Sequence, residues 1–178
     1  MLRVVLTGSE CTGKSTLAAA LAKHYKIEYV PEYLREYFEM KNGILAVEDV
    51  IPIAQGQLQY EAEAAAKGYN PLICDTDIIS SIVYSKHYFE EAPGWLDDKL
   101  NRLGPSLYLL CGIDIDWEAD GQRDMPEKRN YMQGLFINEL KSRGIPFHAI
   151  DGPLNERTLK SIRAIDEALD AVKKNFFN

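Results

Sequence analysis

Leu2-Arg3-Val4-Val5-Leu6-Thr7 runs directly into Gly8-Ser9-Glu10-Cys11-Thr12-Gly13-Lys14-Ser15, and the reading of this junction decides the fold. The first six residues form a short, nearly continuous apolar run, as expected of a strand covered on both faces. The next eight match Gly-x-x-x-x-Gly-Lys-Ser/Thr in full. Beyond them Leu17, Ala18, Leu21 and Ala22 recur at helical spacing across residues 14–25. In a strand-loop-helix setting the backbone N–H groups of such a loop converge on a polyphosphate, and the helix dipole adds partial positive charge. Lys14 is expected to reach the terminal phosphate oxygens of ATP and the Ser15 hydroxyl to bind Mg²⁺. Gly8, Ser9, Glu10, Cys11, Thr12, Gly13, Lys14, Ser15 and Thr16 are therefore the expected ATP-binding set. The alternative is an ordinary glycine-rich turn.

Outward from this junction, short apolar runs alternate with longer helical patterns, the signature of an α/β chain with a parallel sheet. The expected strands are residues 2–7, 27–30, 72–74, 106–111 and 146–150. The expected helices are 14–25, 47–67, 78–89, 95–103, one from 128 to about 143, and 155–176. A length of 178 residues without internal repeat or linker is read as one domain, 1–178. With 27 acidic against 20 basic side chains the formal net charge is −7. That balance lacks the basic face that binding nucleic acid or an anionic membrane requires. Cys11, Cys74 and Cys111 form no Cys-x-x-Cys pair, and no apolar run is long enough for a signal peptide or a membrane span. The expectation is a cytoplasmic protein acting on small molecules, its oligomeric state unreadable.

A phosphate loop specifies nucleotide binding and leaves the reaction open. Asp75 falls at the carboxyl end of the third expected strand, where a second Mg²⁺ ligand belongs. Asp77 follows two residues on, either near the acceptor or as an N-cap. Glu32, in Val30-Pro31-Glu32-Tyr33-Leu34-Arg35, falls just past the second expected strand. It is positioned to take a proton from an attacking hydroxyl; the alternative pairs it with Arg35 on a solvated helix face. Residues 112–130 form an expected lid, and Arg123 and Arg129 are its candidate cations for charge on a transferring phosphoryl group, against ordinary surface arginines.

The blocks Gly8 to Ser15, Glu32-Tyr33-x-Arg35-Glu36, Asp75-Thr76-Asp77, and Asp114-Ile115-x-Trp117 to Asp120-Gly121-x-Arg123 together resemble the ribosylnicotinamide kinase domain of the bifunctional NAD-biosynthesis regulators. More distantly, they are similar to the deoxynucleoside kinases. The resemblance implies a P-loop NTPase three-layer sandwich with a five-stranded parallel sheet of order 2-3-1-4-5. It also implies phosphoryl transfer from ATP, with Mg²⁺, to the 5′-hydroxyl of a nucleoside, here nicotinamide riboside. Lys14, Glu32, Arg123 and Arg129 then carry the catalysis, with Glu32 or Asp77 as the base. Tyr33, Arg35, Gln57, Tyr60, Asp77 and Trp117 join Glu32 in the expected acceptor pocket, with Tyr84 a further stacking candidate. Adenine is expected beside Asp151-Gly152-Pro153, near Arg157. Two departures stand out: Asp116 replaces the proline of the family's Asp-x-Pro-Trp, and Pro31 takes the place of an aromatic residue. No His-x-Gly-His motif occurs, so adenylyl transfer is not expected. The alternatives are a kinase of another nucleoside or nucleotide, and a non-catalytic ATP-sensing switch.

Overall fold

All five residues of β1 (Arg3–Thr7) are buried, because the strand is flanked on both edges and covered on both faces. The computed structural model describes residues 1–117 and 128–176, with side chains to 174. Strands β2 (Leu72–Asp75) and β3 (Ser106–Cys111) pair in parallel on either side of β1, and β4 (Phe147–Ile150) pairs with β3. The order is β2-β1-β3-β4. Helices α1 (Lys14–Tyr25) and α7 (Leu154–Phe176) cover one face, where Leu17, Leu21 and Ile165 meet Val4, Leu6 and Leu109. On the other face lie α3 (Val50–Ala66), α4 (Ile78–Phe89), α5 (Gly94–Arg102) and α6 (Arg129–Ser142). There Ile79, Ile82, Leu96 and Phe136 pack on Val5 and Leu110. The result is a three-layer α/β sandwich with a parallel sheet.

Among the described residues the sheet has four strands, where five were expected. Residues 27–30 contribute a single parallel bridge, Val30 to Cys74. The Val30 N–H donates to Ile73 O and the Asp75 N–H to Val30 O, both at 2.8 Å. Pairing stops there for a local reason: Pro31 has no N–H to give, and the Ile27 N–H is already spent on Ala22 O at the end of α1. A further helix, α2 (Tyr33–Met40), follows the bridge and packs on α3. The expected helix over 47–67 begins as a 3-10 turn, Val47–Asp49, before α3. Pro52 lies in the first turn of α3, where a missing donor is tolerated.

One charged cluster is sealed beneath the face that carries α3 and α4. The Arg3 guanidinium donates to both oxygens of Glu61 at 2.8 and 2.9 Å, to Asp77 Oδ2 at 3.3 Å and to Ser106 Oγ at 3.0 Å. Burial pushes the Glu61 carboxyl up, against the pull of Arg3. A single cation from β1 thus ties α3 to the start of α4. Arg3→Met leaves two carboxylates buried without their cation, and urea unfolding is expected to show a loss of about 3–5 kcal/mol.

Candidate functional site

The phosphate loop is built by left-handed backbone at three of its positions, with φ of 122° at Gly8, 52° at Cys11 and 75° at Gly13. At Gly8 a side chain would be crowded as well as strained, since a Cβ would stand 3.0 Å from Cys111 O and 3.1 Å from Gln133 Oε1. Gly13 caps α1 without a side chain, so the N–H groups of the first helical turn are left to a ligand. The loop's carbonyls are occupied elsewhere. Lys14 Nζ arches back to Gly8 O and Ser9 O at 3.0 and 2.7 Å. From α6, Gln133 accepts the Ser9 N–H at 2.9 Å and donates to Cys111 O at 2.9 Å.

The two described arginines near the loop hold main chain. Arg129 donates to Cys11 O, Ile113 O and Ile115 O at 3.0–3.2 Å and lies 5.8 Å from the Trp117 ring. Arg157 is only 2% exposed. It donates to Gly152 O at 2.7 Å, Thr12 O at 2.8 Å and Gly112 O at 3.2 Å, and is paired with Asp114. Arg157, expected among the ATP-binding residues, is placed as a strut beneath the loop, reaching it from α7. Arg123 lies outside the described residues, as do Asp120, Gly121 and most of the expected lid.

Three carboxylates follow neighbouring β segments, and two of them, Asp75 and Glu32, approach the loop. Asp75, at the end of β2 and opposite Leu6 in register, is buried beside the Ser15 hydroxyl. Its Oδ1 has no hydrogen-bond partner. Burial raises its pKa, with Lys14 and Ser15 pulling the other way. Glu32 is the N-cap residue of α2, yet its side chain makes no cap hydrogen bond. Burial raises its pKa, Asp75 adds to the rise, and Lys14 and Arg35 oppose it. The Arg35 pairing expected as an alternative is present at 3.3 Å, but Glu32 is only 15% exposed, so this is no solvated helix face. Asp77 caps α4 by accepting the Ile79 N–H at 3.0 Å, and its other oxygen is held by Tyr108 Oη at 2.6 Å and by Arg3. Thr76, at φ 82°, separates Asp75, which faces the loop, from Asp77, which faces the buried cation.

A cavity of about 440 Å³ opens between α2, α3 and α4, within the range of small-molecule sites. Glu10 of the loop, Glu32, Thr76 and Asp77 line it together with Arg35 and Gln57. The aromatic walls are Phe38, Tyr84, Tyr88 and Phe89, and Ser80, Ser81 and Ser85 add hydroxyls. Of the residues expected in the acceptor pocket, Glu32, Arg35, Gln57, Asp77 and Tyr84 line this cavity. The others lie elsewhere. Tyr33 and Tyr60 meet edge to face at 5.1 Å outside the cavity, and the Tyr60 hydroxyl is bound to Glu36. Trp117 is held at the phosphate loop by Arg129 and does not line the cavity. Phe38, Tyr88 and Phe89 were missed. Only Tyr88 had a signal, its i,i+4 spacing from Tyr84, whose ring stacks on it at 6.3 Å.

Comparison with known proteins fits this geometry. The model of the AAA domain family matches residues 3–157. The trifunctional NAD biosynthesis/regulator protein NadR of Salmonella typhimurium is 27% identical over 93% of the chain, which spans 42% of that relative's length. A crystal structure of NadR protein in complex with NR superposes with a TM-score of 0.77, at 23% identity over 93% of this chain and 50% of that one. Thymidylate kinase from Ehrlichia chaffeensis does so with a TM-score of 0.62, at 17% identity over 92% and 98%. The resemblance read from the sequence motifs holds, and the fold is that of P-loop kinases.

The loop makes a contrasting pair of glycine predictions. Gly8→Ala is expected to cost about 1–3 kcal/mol through backbone strain, plus its overlap with Cys111 O. Gly134→Ala, in the interior of α6 with nothing within 4 Å of the added Cβ, is expected to gain about 0.5–1 kcal/mol. Thermal unfolding of the two variants distinguishes them by sign.

Proposed function

The chain belongs to the AAA domain family, and on that premise we propose that it is an ATP-dependent nucleoside kinase. The reaction is transfer of the γ-phosphoryl group of ATP to the 5′-hydroxyl of nicotinamide riboside, giving nicotinamide mononucleotide. The observation that carries this reading is Glu32: a carboxylate freed from capping, lining a cavity of nucleoside size and subject to the charges of Lys14 and Asp75. A nucleotide-sensing switch has no use for such a group. Similarity to NadR, and the crystal structure of NadR with NR, support the acceptor. The aromatic walls and the carboxylates of Glu10 and Glu32 suit a cationic ring.

In this reading ATP lies with its phosphates in the loop from Gly8 to Thr16, and the nucleoside fills the cavity. Glu32 accepts the proton of the 5′-hydroxyl as its oxygen bonds to the γ-phosphorus and the bond to ADP breaks. Lys14 neutralises charge on the transferring group, and Arg129, seated on the loop, adds to it with Arg123 of the 112–130 lid. Asp75 and Ser15 fit Mg²⁺. The unpartnered Asp75 Oδ1 and the Ser15 hydroxyl are the hard oxygen ligands that ion takes, and Mg²⁺ needs few protein ligands when phosphates supply the rest. The bound ion supplies neutralisation of phosphate charge. Small-molecule partners, the cytoplasm and a single kinase domain over 1–178 belong to the same proposal. Among the described residues no helix is long and apolar enough to cross a membrane.

A panel of nicotinamide riboside, deoxynucleosides and nucleoside monophosphates, incubated with ATP and Mg²⁺, is expected to give phosphorylated nicotinamide riboside. Turnover of a monophosphate alone replaces the acceptor, and no turnover above a Lys14→Ala control removes the kinase. Glu32→Gln is expected to lower kcat about 10²-fold or more with the KM for ATP retained. Ionised Glu32 is the active form and burial raises its pKa. Activity is therefore lost as pH falls through that raised value, and kcat/KM is expected to show an acid limb above the ordinary glutamate range.

A further inference from the structure

Glu32 occupies an N-cap, the position where an acidic side chain ordinarily turns back to satisfy its own helix. Its carboxylate does not do so. The first N–H of α2, that of Tyr33, is instead accepted by Gln57 Oε1 of α3 at 2.9 Å. The same amide reaches across Glu32 with its other end, Gln57 Nε2 donating to Pro31 O at 3.3 Å. One side chain thus brackets Glu32 on both sides through the backbone. Gln57 is 3% exposed, so a missing bond here is not readily replaced by water.

The residue before Gln57 completes the seat. A Cβ at Gly56 would lie inside the van der Waals radii of Tyr33 Cδ1, Cε1 and Cζ. The absence of a side chain is what lets the ring, and with it the start of α2, lie against α3. A glycine inside a helix costs about 0.5–1 kcal/mol relative to alanine; here the cost is matched to a close approach.

We propose that Gln57, seated beside Gly56, is a positioning residue that caps α2 from α3 and thereby releases the Glu32 carboxylate to the acceptor site. The inference rests on the reading of Glu32 as the base. A cap from another helix fixes the entry of α2 without using the Glu32 carboxylate. It also gives Gln57 a role other than recognising the acceptor, although the residue lines the cavity.

The test measures phosphorylated product with whichever of nicotinamide riboside, deoxyadenosine and thymidine the wild-type chain turns over fastest. Gln57→Leu is expected to lower kcat about 10-fold or more with the KM for ATP unchanged, and to cause no further loss in a Glu32→Gln background. A residue that acts through Glu32 is silent once Glu32 is gone, whereas a merely structural one is not. Losses that multiply, an unchanged kcat, or a raised acceptor KM alone overturn the inference while Glu32→Gln remains slow. A Glu32→Gln chain with normal kcat overturns the base reading itself, and the inference with it. Should Gln57→Leu not fold, Gly56→Ala probes the same seat. It is expected to slow kcat with the same silence in the Glu32→Gln background, and Tyr33→Ala is expected to restore part of the rate by making room. Full activity of Gly56→Ala overturns the proposal.

Discussion

An anion site made of main-chain N–H groups depends on the carbonyls of the same turn being bound elsewhere, since otherwise their negative ends share the space with the ligand. That constraint organises much of this molecule. Gly8 O and Ser9 O are taken by Lys14, Cys11 O by Arg129 and Thr12 O by Arg157. The donors come from α1, α6 and α7, so elements far apart in sequence converge on one loop. Gln133 adds a clamp between Ser9 and Cys111. Three of the positive charges around the loop are therefore structural before they are functional. They keep the N–H groups oriented outward and leave a cationic rim in place for a polyphosphate.

The same logic explains how a chain of net charge −7 suits an anionic ligand. Charge is sorted by depth and by loop. Arg3 is buried between Glu61 and Asp77 on one side of β1, while Lys14, Arg129 and Arg157 gather at its carboxyl end. Asp75 and Glu32 stand at that end too, and burial raises the pKa of both. Their mutual repulsion is relieved by Lys14, and further cation charge at the loop favours both ionised forms.

Much of the fold was legible because β1 and its loop combine two strong local signals, an apolar run and a fixed glycine-lysine spacing. The sheet edge was not. Residues 27–30 carry strand-like side chains, yet Ile27 is committed to closing α1 and Pro31 has no donor, which are hydrogen-bond facts that hydrophobic pattern does not contain. In the cavity, Glu32 and Tyr84 were legible and Phe38 and Phe89 were not. The cavity is walled where α2 and α4 end, and residues at helix ends escape periodicity. Tyr33 and Tyr60 stand outside the cavity for the converse reason, since their rings pack on one another and Tyr33 also lies over Gly56. Arg157 was read as a ligand contact because a conspicuous arginine near a nucleotide loop carries no sign in sequence of whether it faces solvent or backbone.

Glu32 and Asp77 present the sharpest ambiguity of the sequence, and in the structure they differ in capping. Each follows a β segment, each begins a helix and each lines the same cavity. Asp77 accepts the Ile79 N–H, is held by Tyr108 and is paired with Arg3, and these bonds occupy the lone pairs an incoming proton would need. Glu32 has its helix capped by Gln57, and burial weakens its hold on the charged state. A carboxylate that is satisfied at rest is a poor proton acceptor in a reaction, and one relieved of structural duty is a better one. With Glu32 proposed as the base, the division of labour between these two acids follows from which of them must cap its own helix.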